Sequence, residues 1–508
     1  MFFTFGFYSM TTNIPYILGV DIGTGSAKAV AVHPNGQISA SHRQAYPTMH
    51  PQPGFSEQDP QAVLAAIIST IQHTVAQMGS SPAAISLSCA MHSFMAVDEN
   101  GQPLTPLMTW ADNRSEKYAA SLKNTDAGKR IYAATGTPIH PMSPLCKIQW
   151  IRENLPEVFQ KAACFMGIKE LFLHRCFHEF ITDHSIASAT GLFDIRTLDW
   201  HPEALQVAGI TDERLPIPVE TTRLLIGMDQ AMAGALGVSP DTLIMAGSSD
   251  GCLAQLGSGA VQAGHAALTI GTSSAIRMMT AKPAADEKGR LFSYVLTPEH
   301  YVCGGATNNG GGALQWFSKT FLPWSDYNDF LKVAFTAPPG SDGLLCLPYL
   351  LGERAPVWDS RARGAFVGIQ QQHGAAHFQR ALIEGICFGL YSVGEALESV
   401  VSPIREITVS GGFTASPLWI QLLADIFQKP MILHQDEDAS ALGAALLGWH
   451  ALEKIDAWQF DPAAAARVFE PGAEHLAVYQ RNYKAYSLLY QQLKEAMEIL
   501  GTPVKHPL

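Results

Sequence analysis

The chain contains no C-x-x-C pair, no G-x-x-x-x-G-K-[ST] loop and no apolar run long enough to cross a membrane. The eight cysteines are scattered as Cys89, Cys146, Cys164, Cys176, Cys252, Cys303, Cys346 and Cys387. That scatter argues against a zinc site or a disulfide framework and for buried thiols. The second absence excludes a Walker-type nucleotide loop. The third predicts a soluble cytoplasmic protein without a membrane partner. His174 and His178 stand four apart but lack the glutamate of a zincin motif, so they read as structural. Charge is scarce too: 15% of residues are charged, and 33 Lys and Arg face 45 Asp and Glu, a net of -12. This balance argues against a nucleic-acid partner, yet a few local cations suffice for an anionic small molecule. No cation precedes Lys28, and the aromatic-rich first nine residues are too short for a signal peptide. Residues 1–13 therefore read as a disordered extension or an upstream start ahead of Met10.

Glycine and apolar residues are plentiful: 43 Gly and a hydrophobic fraction of 47% in 508 residues. The length predicts two large domains, and the composition can fill their cores. One phrase occurs twice. Ile22-Gly23-Thr24-Gly25-Ser26-Ala27 returns as Ile270-Gly271-Thr272-Ser273-Ser274-Ala275, each after a β-prone run and each followed by a cation, Lys28 or Arg277. Copies this far apart suggest two related domains rather than a solenoid. After the first copy, Ala29–His33, Pro34-Asn35-Gly36 and Gln37–His42 read as strand, turn and strand. Amphipathic helices are expected at Ala62–Met78, Phe378–Val400 and Leu418–Phe427. Strands and helices mixed in both halves indicate α/β domains. The boundary is expected in the Gly-Ser-Gly-rich stretch between Leu256 and Gly264, dividing the chain into 14–260 and 261–485.

Asp21-Ile22-Gly23-Thr24-Gly25-Ser26-Ala27-Lys28 has the chemistry of a phosphate loop. Glycines let backbone N–H groups approach a phosphate, the hydroxyls of Thr24 and Ser26 add donors, and Lys28 adds charge. Asp21, at the strand end, suits a hydrated magnesium ion. A dinucleotide fingerprint fails here, because Lys28 takes its third small position and a hairpin follows instead of a helix. A hairpin around phosphate, preceded by Asp, suits the actin-like nucleotide folds; an ordinary Gly-rich turn is the plain alternative. Gly271, Thr272 and Ser273 form the second candidate loop, so that the two would clamp a nucleotide between domains. Gly310-Gly311-Gly312 and Gly411-Gly412 are further candidates for lining that cleft. Asp250, in Ser248-Ser249-Asp250-Gly251, is placed to accept a proton from a substrate hydroxyl, against the simpler reading of a turn cap.

These residues resemble the FGGY carbohydrate kinases, relatives of glycerol kinase and xylulokinase, from about Ile17 to about Trp449. Met142 to Asn154, MSPLCKIQWIREN, fits the family signature throughout. Asp21 to Lys28 is similar to its D-x-G-T-x-S-x-[KR] loop, Asp250 to its catalytic Asp, and Gly352-Glu353-Arg354-Ala355-Pro356 to its G-E-R-x-P segment. Ser410-Gly411-Gly412 through Ile426 resembles its adenosine segment, with Ser416 where glycerol kinase has asparagine. Met91-His92-Ser93 departs from the Gln-Arg-Glu of glycerol kinases. Thr109-Trp110-Ala111-Asp112-Asn113-Arg114 and Gly136 to Met142 are like the gluconate-kinase branch.

The resemblance implies two ribonuclease-H-like, actin-like α/β domains around a cleft. It implies ATP and Mg²⁺ as cofactors, with Asp21 at the metal. Nucleotide contacts are expected at Thr24, Gly25, Ser26, Lys28, Gly271, Thr272, Ser273, Gly311, Gln315, Gly411, Gly412 and Ser416. Substrate contacts are expected at Met91, His92, Trp110, Asp112, Arg114, His140, Met142 and Lys147, with Lys147 or Arg114 facing a carboxylate. The implied reaction is phosphorylation of the 6-hydroxyl of gluconate. D-xylulose or another open-chain sugar is the rival substrate, and a non-catalytic actin-like ATP switch is the rival from another class. A homodimer is compatible with the sequence.

Overall fold

A computed structural model describes residues 14–321, 327–434, 438–460 and 466–501. The expected extension 1–13 lies outside the described residues. The first sheet contains β1 (Ile17–Ile22), β2 (Ser26–Val32), β3 (Ile38–Ala45), β4 (Ala84–Cys89), β5 (Leu224–Leu225) and β6 (Leu243–Ser249). Their spatial order is β5-β6-β4-β1-β2-β3. The second contains β7 (His265–Ile270), β8 (Ser274–Thr280), β9 (Phe292–Thr297), β10 (His300–Thr307), β11 (Glu406–Ser410), β12 (Met431–Leu433) and β13 (Arg467–Phe469). Its order is β9-β10-β8-β7-β11-β12-β13.

The two sheets repeat one plan. β1, β2 and β3 form an antiparallel meander, and β1 then pairs in parallel with β4 and β4 with β6. β7, β8 and β10 pair antiparallel in the same spatial order, with β9 inserted before β10 in the chain and paired on its outer side, and β7 pairs in parallel with β11 and β11 with β12. Each plan ends in an antiparallel edge strand, β5 or β13. The duplicated phrase lies at the β1–β2 turn and at the β7–β8 turn, so the repetition is structural. In β1 every residue but Asp21 is buried, as befits a central strand covered on both faces.

The expected helices are present and begin slightly earlier. α1 (Pro60–Met78) starts at Asp59, whose carboxylate accepts from Gln61 N at 3.0 Å, and stops at Gly79. α2 spans Pro144–Asn154 and α3 spans Asp250–Gly257. α4 spans Gly311–Phe321, α5 spans Ala375–Val400, α6 spans Pro417–Phe427 and α7 spans Ala439–Ala451. α7 belongs to the second half by sequence, yet Ala441, Ala444, Ala445 and Leu447 share a core with Ile17, Val30 and Ala84 of the first sheet. Its composition, small and apolar all round, suits burial on all sides. α3 and α7 touch backbone to backbone: a Cβ on Gly257 would lie 2.0 Å from the Ala439 carbonyl, and one on Gly443 2.0 Å from that of Leu253. This contact packs the C-terminal half of α3 on the first turns of α7, and Ser440 Oγ donates to the Asp250 carbonyl at 3.3 Å, so that Asp250 and Asp438 both line the cleft.

Candidate active site

Between the two sheets lies a cavity of about 610 Å³. Its wall from the first sheet includes Asp21, Thr24, Gly25 and Lys28; its wall from the second includes Gly271, Thr272, Ser273 and Gly411. Both phosphate-loop candidates are tight hairpins, with Gly23 N donating to Ser26 O at 3.0 Å and Gly271 N to Ser273 O at 2.9 Å. The second is braced from behind by Gly311 N, which donates to Gly271 O at 2.8 Å. Gly411 has φ +102, and a Cβ there would lie 2.4 Å from the Ile270 carbonyl, so only glycine fits. Lys28 forms an ion pair with Asp438 across the cleft. Asp250 stands at the first turn of α3, capped by Ser249. Around it Met91, His92, Trp110, Met142, Tyr294, Arg354 and Trp358 make a mixed aromatic and polar wall. Such a wall suits a polyhydroxylated molecule, whose apolar faces stack while its hydroxyls pair.

The electrostatics divide these groups. Burial, with the nearby charges of Asp250 and Asp438, pushes the Asp21 carboxyl up to about 6, against a hydrogen bond from Ser88 and the charge of Lys28. Ser88 Oγ donates to Asp21 Oδ1 at 2.7 Å. Burial also raises Asp250, and Arg277, the Gly251 N–H and Arg354 pull it back down. Burial lowers His92 to about 3, aided by Lys147 and Arg354, so this ring is neutral at pH 7. Its Nδ1 donates to the Ala189 carbonyl at 2.7 Å, which leaves Nε2 as an acceptor beside the Tyr294 hydroxyl at 3.4 Å. Trp110 is fixed by its Nε1–H, which donates to Thr24 Oγ1 at 2.8 Å, and Arg354 lies over its ring at 4.5 Å.

Residues 16–257 match the FGGY family of carbohydrate kinases, N-terminal domain, and residues 266–452 match its C-terminal domain. The chain belongs to the FGGY family of carbohydrate kinases. It is 43% identical over 455 residues to the gluconokinase of Bacillus subtilis (strain 168), covering 87% of this chain and 89% of that one. Among solved structures, the gluconate kinase of Lactobacillus acidophilus superposes with a TM-score of 0.91 at 35% identity, over 96% of this chain and 99% of that one. A ligand-bound xylulose kinase, also from Lactobacillus acidophilus, gives the same TM-score and identity over 96% of this chain and 100% of that one. Family membership sets aside the non-catalytic ATP switch.

Several residues expected at the kinase site stand behind it. Lys147 is fully buried on α2 and donates to the carbonyls of His92 at 2.6 Å, Thr109 at 2.8 Å and Met108 at 3.4 Å. It braces the two sugar-wall loops and faces no cavity. Arg114 is likewise turned away from the cleft: it pairs with Asp112 at 2.7 Å and Glu57 at 2.5 Å and covers the Phe55 ring at 3.8 Å. Asp112 also accepts from Ser56 N at 2.7 Å. Neither cation expected to meet a carboxylate is therefore free to do so. His140 is buried against Trp358, with ring centroids 5.6 Å apart, one shell behind the wall. On the nucleotide side, Ser26 Oγ accepts from Arg43 at 2.8 Å, Gln315 is exposed on α4, and Gly311 and Gly412 do not line the cavity. Ser416 caps α6, accepting from Trp419 N at 3.4 Å. Arg277 is marked in the sequence only as the cation after the second glycine phrase, and Tyr294, Trp358 and Asp438 are cavity residues that no expected contact included. Arg354 lies within the G-E-R-x-P segment and Trp358 two residues beyond it, but nothing local in the sequence marks Tyr294 or Asp438.

Proposed function

We propose that this carbohydrate kinase transfers the γ-phosphoryl group of ATP to the 6-hydroxyl of D-gluconate, giving 6-phosphogluconate and ADP. The observation that carries the reading is Asp250, a half-buried carboxylate at the cleft between two glycine hairpins, one on each sheet. The identity to a named gluconokinase supports the choice of sugar acid. In the proposed reaction the substrate hydroxyl lies against Asp250. As the O6–P bond forms, the bond from phosphorus to the β-phosphate oxygen breaks, and the hydroxyl proton passes to Asp250. Thr24, Gly25 and Lys28 hold the phosphates from one side; Gly271, Thr272 and Ser273 hold them from the other. His92 and Tyr294 hydrogen-bond the sugar, Trp110 and Met142 pack on it, and Gly411 admits the nucleoside.

Among the described residues no cluster of three or more His, Cys, Asp or Glu side chains is built to hold a bare metal ion. A hydrated Mg²⁺, which takes one or two carboxylates plus phosphate oxygens, fits Asp21 better. Ser88 occupies one oxygen of that carboxylate. Mg²⁺ bound there would offset phosphate charge. Its charge would also relieve the repulsion among Asp21, Asp250 and Asp438.

ADP release with ATP, magnesium and a panel of gluconate, D-xylulose and glycerol tests the substrate. Gluconate should give the highest kcat/KM, and glycerol should be inert, since it leaves buried polar groups unpaired at a cost of roughly 10⁴–10⁵-fold. Turnover of xylulose with none of gluconate would reject the sugar acid and keep the kinase.

A further inference from the structure

Two arginines enter the cavity from the second half of the chain, Arg277 on β8 and Arg354, and each is 8% exposed. Among the described residues neither makes an ion pair with Asp or Glu, and each has a buried Nε without a hydrogen-bond partner. Asp250 acts on both guanidinium groups from beyond ion-pair distance and favours their charged forms; a buried guanidinium with no direct anionic contact is expected where an anion will meet it. Arg354 is partly spent: it lies on Trp110 and donates through Nη2 to the Thr307 carbonyl at 3.1 Å. It also belongs to the G-E-R-x-P segment of a family that includes kinases of neutral sugars. Arg277 lies outside every family segment identified above.

β8 alternates in the usual way. Ile276 and Met278 enter the core of the second half, whereas Ala275 and Arg277 face the cavity. The Arg277 guanidinium reaches over Gly251, next to Asp250. A Cβ at Gly251 would lie 3.2 Å from Arg277 Nη1 and 3.0 Å from Met91 Cε. The missing side chain at 251 thus makes room where a first-wall sugar residue and the arginine meet. Arg277 Nη2 donates to Thr269 Oγ1 at 3.2 Å, and this neutral hydroxyl orients it without neutralising it.

We propose that Arg277 receives the carboxylate of the substrate and so determines the preference for a sugar acid over a neutral sugar. This rests on the gluconate reading above. It gives the role expected of Lys147 or Arg114 to a residue in the opposite half of the chain, so an acidic substrate would also tie the two halves together.

The test compares gluconate with D-glucitol, which keeps the C2–C6 hydroxyls and replaces the carboxylate by CH₂OH. Wild type should favour gluconate in kcat/KM. In Arg277→Gln the gluconate-to-glucitol ratio should fall on the order of 10²-fold, chiefly through KM for gluconate, as expected for loss of a buried charge-assisted contact. Arg277→Lys, which keeps the charge and loses the planar fork, should give an intermediate ratio and covers the case in which the Gln variant fails to fold. An unchanged ratio with both substrates slowed alike would overturn the proposal and assign Arg277 to the transferred phosphoryl group. A wild type that turns over xylulose but not gluconate would instead overturn the substrate reading, and this proposal with it.

Discussion

Asp21 and Asp250 share one cleft and repel each other, so the ionised pair that chemistry needs costs the fold stability. Asp250→Asn should lower kcat by roughly 10²–10⁴-fold, the usual contribution of a general base, while ATP affinity stays within a few-fold. Near-normal turnover in the folded variant would remove Asp250 from the mechanism. Asp21→Asn should lose MgATP-dependent activity and yet melt later than wild type without ligand. The sign follows from the folded-state pKa of about 6 against 3.8 for the free group. Raising a carboxyl penalises the folded state once pH exceeds the unfolded value. The penalty grows from pH 3.8 to about 6 and is constant above, at up to about 3 kcal/mol. The gain from Asn should therefore be full at pH 7 and vanish below about pH 4 in denaturant titrations. For the same reason wild-type kcat/KM should fall as pH drops through about 6. At this scale the sequence was legible where chemistry is local: Asp21, Lys28, Met91, His92, Trp110 and Asp250 all line the cavity. It misled where a polar residue is consumed by a neighbour, as Arg114 is by Asp112 and Glu57.

Among the elements, α2 carries the most specific stretch of sequence and yet gives the cavity no cation. Burial lowers its Lys147 to about 7, with Asp112 opposing, and three carbonyl oxygens on two loops share the ammonium. Lys147→Met should destabilise the fold by several kcal/mol, because each stranded carbonyl costs about 1–3 kcal/mol. Its residual activity should show a raised KM for the sugar, since the loops bearing His92 and Trp110 lose their common brace. A variant of wild-type stability with an altered sugar preference would instead make Lys147 a substrate contact. The helices were legible from apolar periodicity, to within three residues at their starts for α1, α5 and α6. The crossing of α7 onto the first sheet was not, because periodicity reports a helix's faces but not which sheet they cover.

Over the whole molecule, the short repeated phrase pointed to two copies of one α/β plan, and both sheets have it. The pairing of the copies across a cleft, with Lys28 meeting Asp438 over 410 positions of sequence, lies beyond any local signal. If both hairpins hold the nucleotide, Lys28→Ala and Thr272→Ala should each raise KM for MgATP, and nucleotide should protect both turns from hydrogen exchange. Protection of one turn alone would break the clamp. The central claim is the transfer of a phosphoryl group to the terminal hydroxyl of gluconate, and phosphorus-31 NMR of the product tests it most directly. Incubation with ATP, Mg²⁺ and gluconate should yield ADP and one phosphomonoester resonance coupled to the two C6 methylene protons. Inorganic phosphate alone, or a monoester coupled to a single methine proton, would contradict the account.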